Sequence, residues 1–139
     1  MKLSIKKIIR PLDLGEKAVE FGGQTIQVWV NPTLAFLRER DAVFMMYAEK
    51  QKVLTDAEKA RSGDLAKLNL EFAAWIDGEF TEKNNEWFSR LWSQDENTAT
   101  HWTLAEINEI KQADPALLDW LKSRSVEMIT EYRRMEKKS

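Results

Sequence analysis

The sequence predicts a mainly α protein with an N-terminal β-hairpin, an α+β chain of five or six helices in one compact domain. Two periodicities carry this. Apolar residues alternate near a period of two through the first thirty positions, as a half-buried strand requires. After Asn31-Pro32 the spacing changes to mostly three and four, in segments that recur to the end of the chain. Length and composition fit: 139 residues, 43% apolar and 32% charged, with five Gly and three Pro, describe one soluble globular domain able to bury a core without staples. It divides into a β-hairpin segment over 1–30 and a helical part over 31–139.

Leu3, Ile5 and Ile8–Ile9, interleaved with Ser4, Lys6 and Lys7, read as a strand that ends near Pro11. Val19 and Phe21 lead into Gly22-Gly23, a pair that takes positive φ at low cost, and then Ile26, Val28 and Val30 alternate again. Strand, Gly-Gly, strand is a hairpin, with Leu3–Ile9 as a possible third strand. A lone hairpin is marginal in water, so it should pack on helices.

Asn31 has the chemistry of an N-cap, and Pro32 suits the first helical position, where its missing N–H costs nothing. The first helix should reach about Lys52. Thr55-Asp-Ala-Glu58 has capping-box form and predicts a short restart. Ser62-Gly63-Asp64 breaks the chain, and Asp64 is placed to cap a helix bearing Leu65, Leu68, Phe72, Trp75 and Ile76 on one face. Gly78 interrupts, and a further helix covers Glu82–Trp92. Ser93–Thr100 is polar without periodicity and reads as a loop. Thr103 with Glu106 is a capping box, and Trp102 with Ile107 a hydrophobic staple, opening a short helix. Asp114-Pro115 starts the last helix, whose basic residues Arg133, Arg134, Lys137 and Lys138 suit a helix C-terminus.

The net charge is −2 and the pI about 5.6, unlike the basic footprint of a nucleic-acid binder. Residues 63–100 carry three basic and eight acidic residues, net −5, either a solvated face or a surface that steers a basic partner. The basic start is not followed by a long apolar run, and no apolar stretch is long enough to span a bilayer, so a cytoplasmic protein with no membrane partner is expected. With no Cys and one His, His101, thiolate and multi-histidine metal sites are excluded. His101 lacks a triad partner at recognisable spacing and reads as a surface or capping-region residue. The carboxylate pairs Asp77/Glu79, Glu82/Glu86 and Asp95/Glu96 read as solvated charges. Asp95-Glu96-Asn97 lacks the spacing of a calcium loop. Gly22-Gly23 precedes a strand, whereas a phosphate loop opens a helix. No catalytic residue, metal or cofactor is expected, and the chain is read as a non-enzyme.

The aromatic residues are the unusual feature: there are six Trp, four of them between Trp75 and Trp102. Large aromatics dominate small cores, but Trp is also enriched at interface hot spots. In EWFSRLW, Trp87, Phe88 and Leu91 share a helical face, and Trp92 points about 100° further round. These four are candidate protein-binding residues, set against the alternative that they are core. Met45 and Met46, in Phe44-Met45-Met46-Tyr47, form a second candidate, because Met suits adaptable surfaces.

The opening MKLSIKKIIRPLDLGE, the VWVNP junction, EWFSRLW, and the closing DPALLDWLKSRSVEMITEYRR together resemble a tail assembly chaperone of long-tailed bacteriophages. The resemblance implies a non-enzymatic role in virion morphogenesis. Such chaperones bind the long, aggregation-prone tape measure protein, help recruit tail-tube subunits around it, and often self-associate. Many occur also in a frameshifted longer form. Their client segments would lie helix-in-groove against residues such as Trp87, Leu91 and Trp92. The competing reading is a small cytoplasmic adaptor or regulatory protein-binding domain without a phage role.

Overall fold

Three short strands, far apart in sequence, form one antiparallel sheet in a computed structural model that describes residues 6–15, 26–94 and 100–138. They are β1 (Ile9–Pro11), β2 (Gln27–Trp29) and β3 (Trp92–Ser93), in that spatial order. Five α-helices accompany them: α1 (Leu34–Lys59), α2 (Leu65–Trp75), α3 (Thr81–Leu91), α4 (Leu104–Ala113) and α5 (Pro115–Lys138). The architecture is mainly α with a small sheet, as the periodicities require. The expected turn and strand over Val19–Gly23 lie outside the described residues.

The chain divides into two compact units: Met1–Thr33 with Phe88–Ser139, and Leu34–Trp87. Strand pairing draws the N-terminal segment to the C-terminal helices within the first unit.

In the first unit β2 is the central strand. Ile9 faces Trp29, Arg10 faces Val28 and Pro11 faces Gln27 across β1, while Gln27 and Val28 face Ser93 and Trp92 across β3. Hydrogen bonds from Leu12 N to Ile26 O (2.8 Å) and from Val30 N to Ile8 O (3.0 Å) extend the ladder. Pro11, without an N–H, blunts the outer edge of β1 against further strand addition. Asn31 is not the helix cap expected of it. Its Oδ1 accepts from Ile8 N at 2.7 Å and its Nδ2 donates to Lys6 O at 2.8 Å, so the amide prolongs the β1–β2 pairing. The first helix starts later, at Leu34.

The helix expected over Glu82–Trp92 ends at Leu91, and Trp92 opens β3. Trp92 O accepts from Trp102 N at 3.2 Å, Gln94 N donates to Thr100 O at 3.0 Å, and Ser93 bridges His101. The ends of the predicted loop are therefore paired, and positions 95–99 lie outside the described residues. Thr103 and Glu106 form the predicted capping box, with Glu106 N to Thr103 Oγ1 at 3.2 Å and Thr103 N to Glu106 Oε1 at 3.1 Å. The staple residues Trp102 and Ile107 are both buried. Asp114 caps α5 by accepting from Leu117 N at 3.2 Å. α5 packs against α4 and β2, bringing Leu117, Leu118, Leu121 and Ile129 into a core that also holds Ile26, Val28 and Trp92.

The second unit is a helical hairpin. α1 is continuous through the predicted restart, because Thr55 does not cap: its hydroxyl bonds back to Gln51 O at 3.1 Å, the mid-helix alternative open to Thr. α1 ends in a Schellman arrangement, Ser62 N to Ala57 O at 2.9 Å and Arg61 N to Glu58 O at 3.1 Å, with Arg61 at φ +53°. A side chain in that left-handed region is strained, and Gly is the residue the motif favours. Arg61→Gly should therefore raise stability by about 0.5–1 kcal/mol in thermal unfolding; a loss would show that Arg61 makes a compensating contact. Asp64 precedes α2 without the predicted side-chain cap bond; its own N–H donates to Ser62 Oγ at 3.2 Å.

Gly78 does not break the chain. Ile76–Phe80 form a π-helical turn that joins α2 to α3 without interruption, and Thr81 Oγ1 donates to Ile76 O at 2.6 Å within it.

Candidate protein-binding surface

The ring contacts of the hairpin step outward in step along both arms, which fixes its arms as antiparallel. At the base Phe36 stacks on Trp87, centroids 4.6 Å apart and 12° between planes, and Trp87 Nε1 donates to Phe36 O at 2.7 Å. The Arg40 guanidinium lies 5.6 Å from the Trp87 ring and 4.6 Å from Phe44, a cation–π bridge to the next layer. Burial lowers the Arg40 pKa, with Asp41 opposing. Phe44 meets Phe80 edge-on at 5.5 Å, and Tyr47 touches Phe80, Phe72 and Trp75. The Lys50 ammonium sits 5.1 Å from the Trp75 ring centre.

The π turn explains how Trp75 and Phe80 both serve this seam. Five residues apart on an α-helix they would diverge by about 140°. With i→i+5 geometry between them their rings meet at 5.3 Å. Trp75 Nε1 is satisfied by Glu79 Oε2 at 3.0 Å, and Glu79 in turn pairs with Lys83 at 3.3 Å.

The seam is only half covered. Of all the residues in α1, α2 and the π turn, Phe36 alone is buried. Large apolar side chains stand in solvent: Met45 is 63% exposed, Val53 53% and Leu70 73%, with Leu34 also exposed. On the outer face of α2, Ala66, Leu70, Ala73 and Ala74 are all exposed and none carries charge. Toward the tip, Lys50, Val53 and Leu54 of α1 and Leu68, Glu71 and Phe72 of α2 line an open groove of about 140 Å³.

The structure moves the candidate surface. Trp87, Phe88, Leu91 and Trp92 are the candidate binding residues weighed in the sequence against a place in the core; all four are buried, Phe88, Leu91 and Trp92 with no exposed surface. They do not form one site, since Trp87 belongs to the hairpin and the other three to the sheet-containing unit. Phe88 and Trp92 pack at 5.1 Å, and Trp92 Nε1 donates to Ser125 Oγ at 2.8 Å, which donates to Leu121 O at 2.7 Å. Rings that are buried and hydrogen-bonded in this way are core. Met45 is exposed as an interaction residue would be, and Met46 is half-buried. Sequence reasoning did not single out Val53 or Leu70. For Leu70 a signal existed: two positions from both Leu68 and Phe72, it falls off their face.

His101 Nδ1 lies 3.2 Å from Trp92 O, a contact within the β-ribbon. Among the described residues no three His, Asp or Glu side chains are grouped to hold a metal, and no helix is long and apolar enough to cross a membrane. Partial burial lowers the Lys7 pKa, its ammonium 4.6 Å from the Trp29 ring centre. No protein-family model, curated protein or solved structure matches the chain.

Proposed function

We propose that this chain is a non-enzymatic tail assembly chaperone of a long-tailed bacteriophage, which binds the tape measure protein and assists assembly of the tail tube around it. One observation carries the reading: a long helical hairpin with a single buried residue in α1, none in α2, and large apolar side chains presented to solvent. Exposed apolar surface of this kind marks a place where another protein is covered. A client rich in amphipathic helices would lay its apolar faces along the hairpin, protected from aggregation until tube subunits replace the chaperone. The resemblance of the opening, the VWVNP junction and the closing helix to such chaperones adds the choice of client.

Co-expression with the tape measure protein of the same tail module tests this. The client should become soluble and co-purify with the chain. A client that stays insoluble, beside a chain that is monomeric and binds one folded partner, would replace this reading with that of an adaptor.

A further inference from the structure

We infer that the groove near the tip of the hairpin is the anchor socket of that surface: it takes one Leu-, Met- or Phe-sized side chain from an amphipathic helix of another protein. The inference rests on the protein-binding reading and adds where the contact is made and what chemistry it selects.

The size argues for one side chain. The groove measures about 140 Å³, with Val53, Leu54, Leu68 and Phe72 as its apolar lining. An apolar cavity of about 150 Å³ accommodates a benzene molecule. Its polar lining is Lys50 on one helix and Glu71 on the other. Both side chains are exposed, the Lys50 ammonium 5.1 Å from the Trp75 ring centre and the Glu71 carboxylate 4.0 Å from the Lys67 ammonium. The pair selects an occupant with a carboxylate on the α1 side of its anchor and a cation on the α2 side. The shape argues for a helix. Two antiparallel helices form the walls, so a third can lie along them by ordinary ridge-into-groove packing, while the hairpin offers no strand edge to extend.

The test is methyl NMR of the full chain, titrated with a capped peptide of three EALLKAL heptads and with the same peptide carrying Ala at every Leu. The Leu peptide should shift the methyls of Val53, Leu54 and Leu68 most, and the Ala peptide should not. Val53→Asp, at a half-exposed position, should weaken binding about tenfold at unchanged melting temperature. Leu34→Asp, at the far end of α1, should change it less than about twofold. Binding that shifts other methyls and ignores Val53→Asp would overturn the socket and leave the protein-binding reading standing. Absence of any binding would overturn both. Groove shifts that grow with chain concentration alone would give the socket to a second copy and overturn the inference.

Discussion

Trp92→Ala is expected to cost about 3–5 kcal/mol, among the largest effects of any single substitution in this chain. The residue has no exposed surface, packs on Phe88, and satisfies its indole N–H on Ser125. Truncation would open a cavity beside β2 and α5 and remove a buried hydrogen bond together. Domains of this size are stable by about 5–15 kcal/mol, so the melting temperature should fall by roughly 10 °C or more. Trp92→Phe keeps most of the ring and should lose about 1–2 kcal/mol, the share of the lost indole hydrogen bond to Ser125 and the smaller volume. A Trp92→Ala loss below about 1 kcal/mol would mean that this side chain is not core, and would return it to the candidate partner residues.

Inserting one alanine after Gly78 should be the second severe change. The π turn already absorbs one residue more than α geometry holds, so a second would rotate α2 by about 100° relative to α3. Trp75 would leave Tyr47 and Phe80, and the groove walls would come out of register. Several aromatic contacts, each worth about 0.5–1.5 kcal/mol, lie on that seam, so a loss of about 2–4 kcal/mol is expected. Gly78→Ala separates phase from composition. Nothing lies within 4 Å of the added Cβ and the site is exposed, so this variant should be neutral or stabilising by up to about 1 kcal/mol. Equal stability of the insertion variant and the parent in calorimetry would show that the phase across the π turn does not set the seam.

What the sequence made legible follows the range of the forces involved. The fold class, the Thr103–Glu106 capping box and the Asp114 cap depend on neighbours three or four positions away, and each is present. Asn31 carried a correct local signal for the wrong partner: its amide could cap a helix, but Lys6 and Ile8, more than twenty positions back, claim it. β3 was invisible because two residues at the end of a helical pattern become a strand only when Gln27 and Val28 lie beside them. Gly78 reads as a breaker, yet a π turn tolerates it and uses the extra residue to align Trp75 with Phe80. The candidate surface was half legible. Met45, chosen from its type, is exposed, whereas the EWFSRLW aromatics, left in the sequence between core and partner site, are buried, because helical phase tells which residues share a face and not what covers that face. Leu70 and Val53 stand exposed because no other described element covers them.

The most direct measurement is client solubility on co-expression with a Val53→Asp/Leu70→Asp double variant, whose melting temperature is checked in parallel. Val53 is half-exposed and Leu70 largely in solvent, so the fold should hold within about 1 kcal/mol. If the hairpin is the binding surface, the tape measure protein returns to the insoluble fraction while the variant itself remains folded. Undiminished rescue by the folded variant would contradict it and move the binding surface off the hairpin.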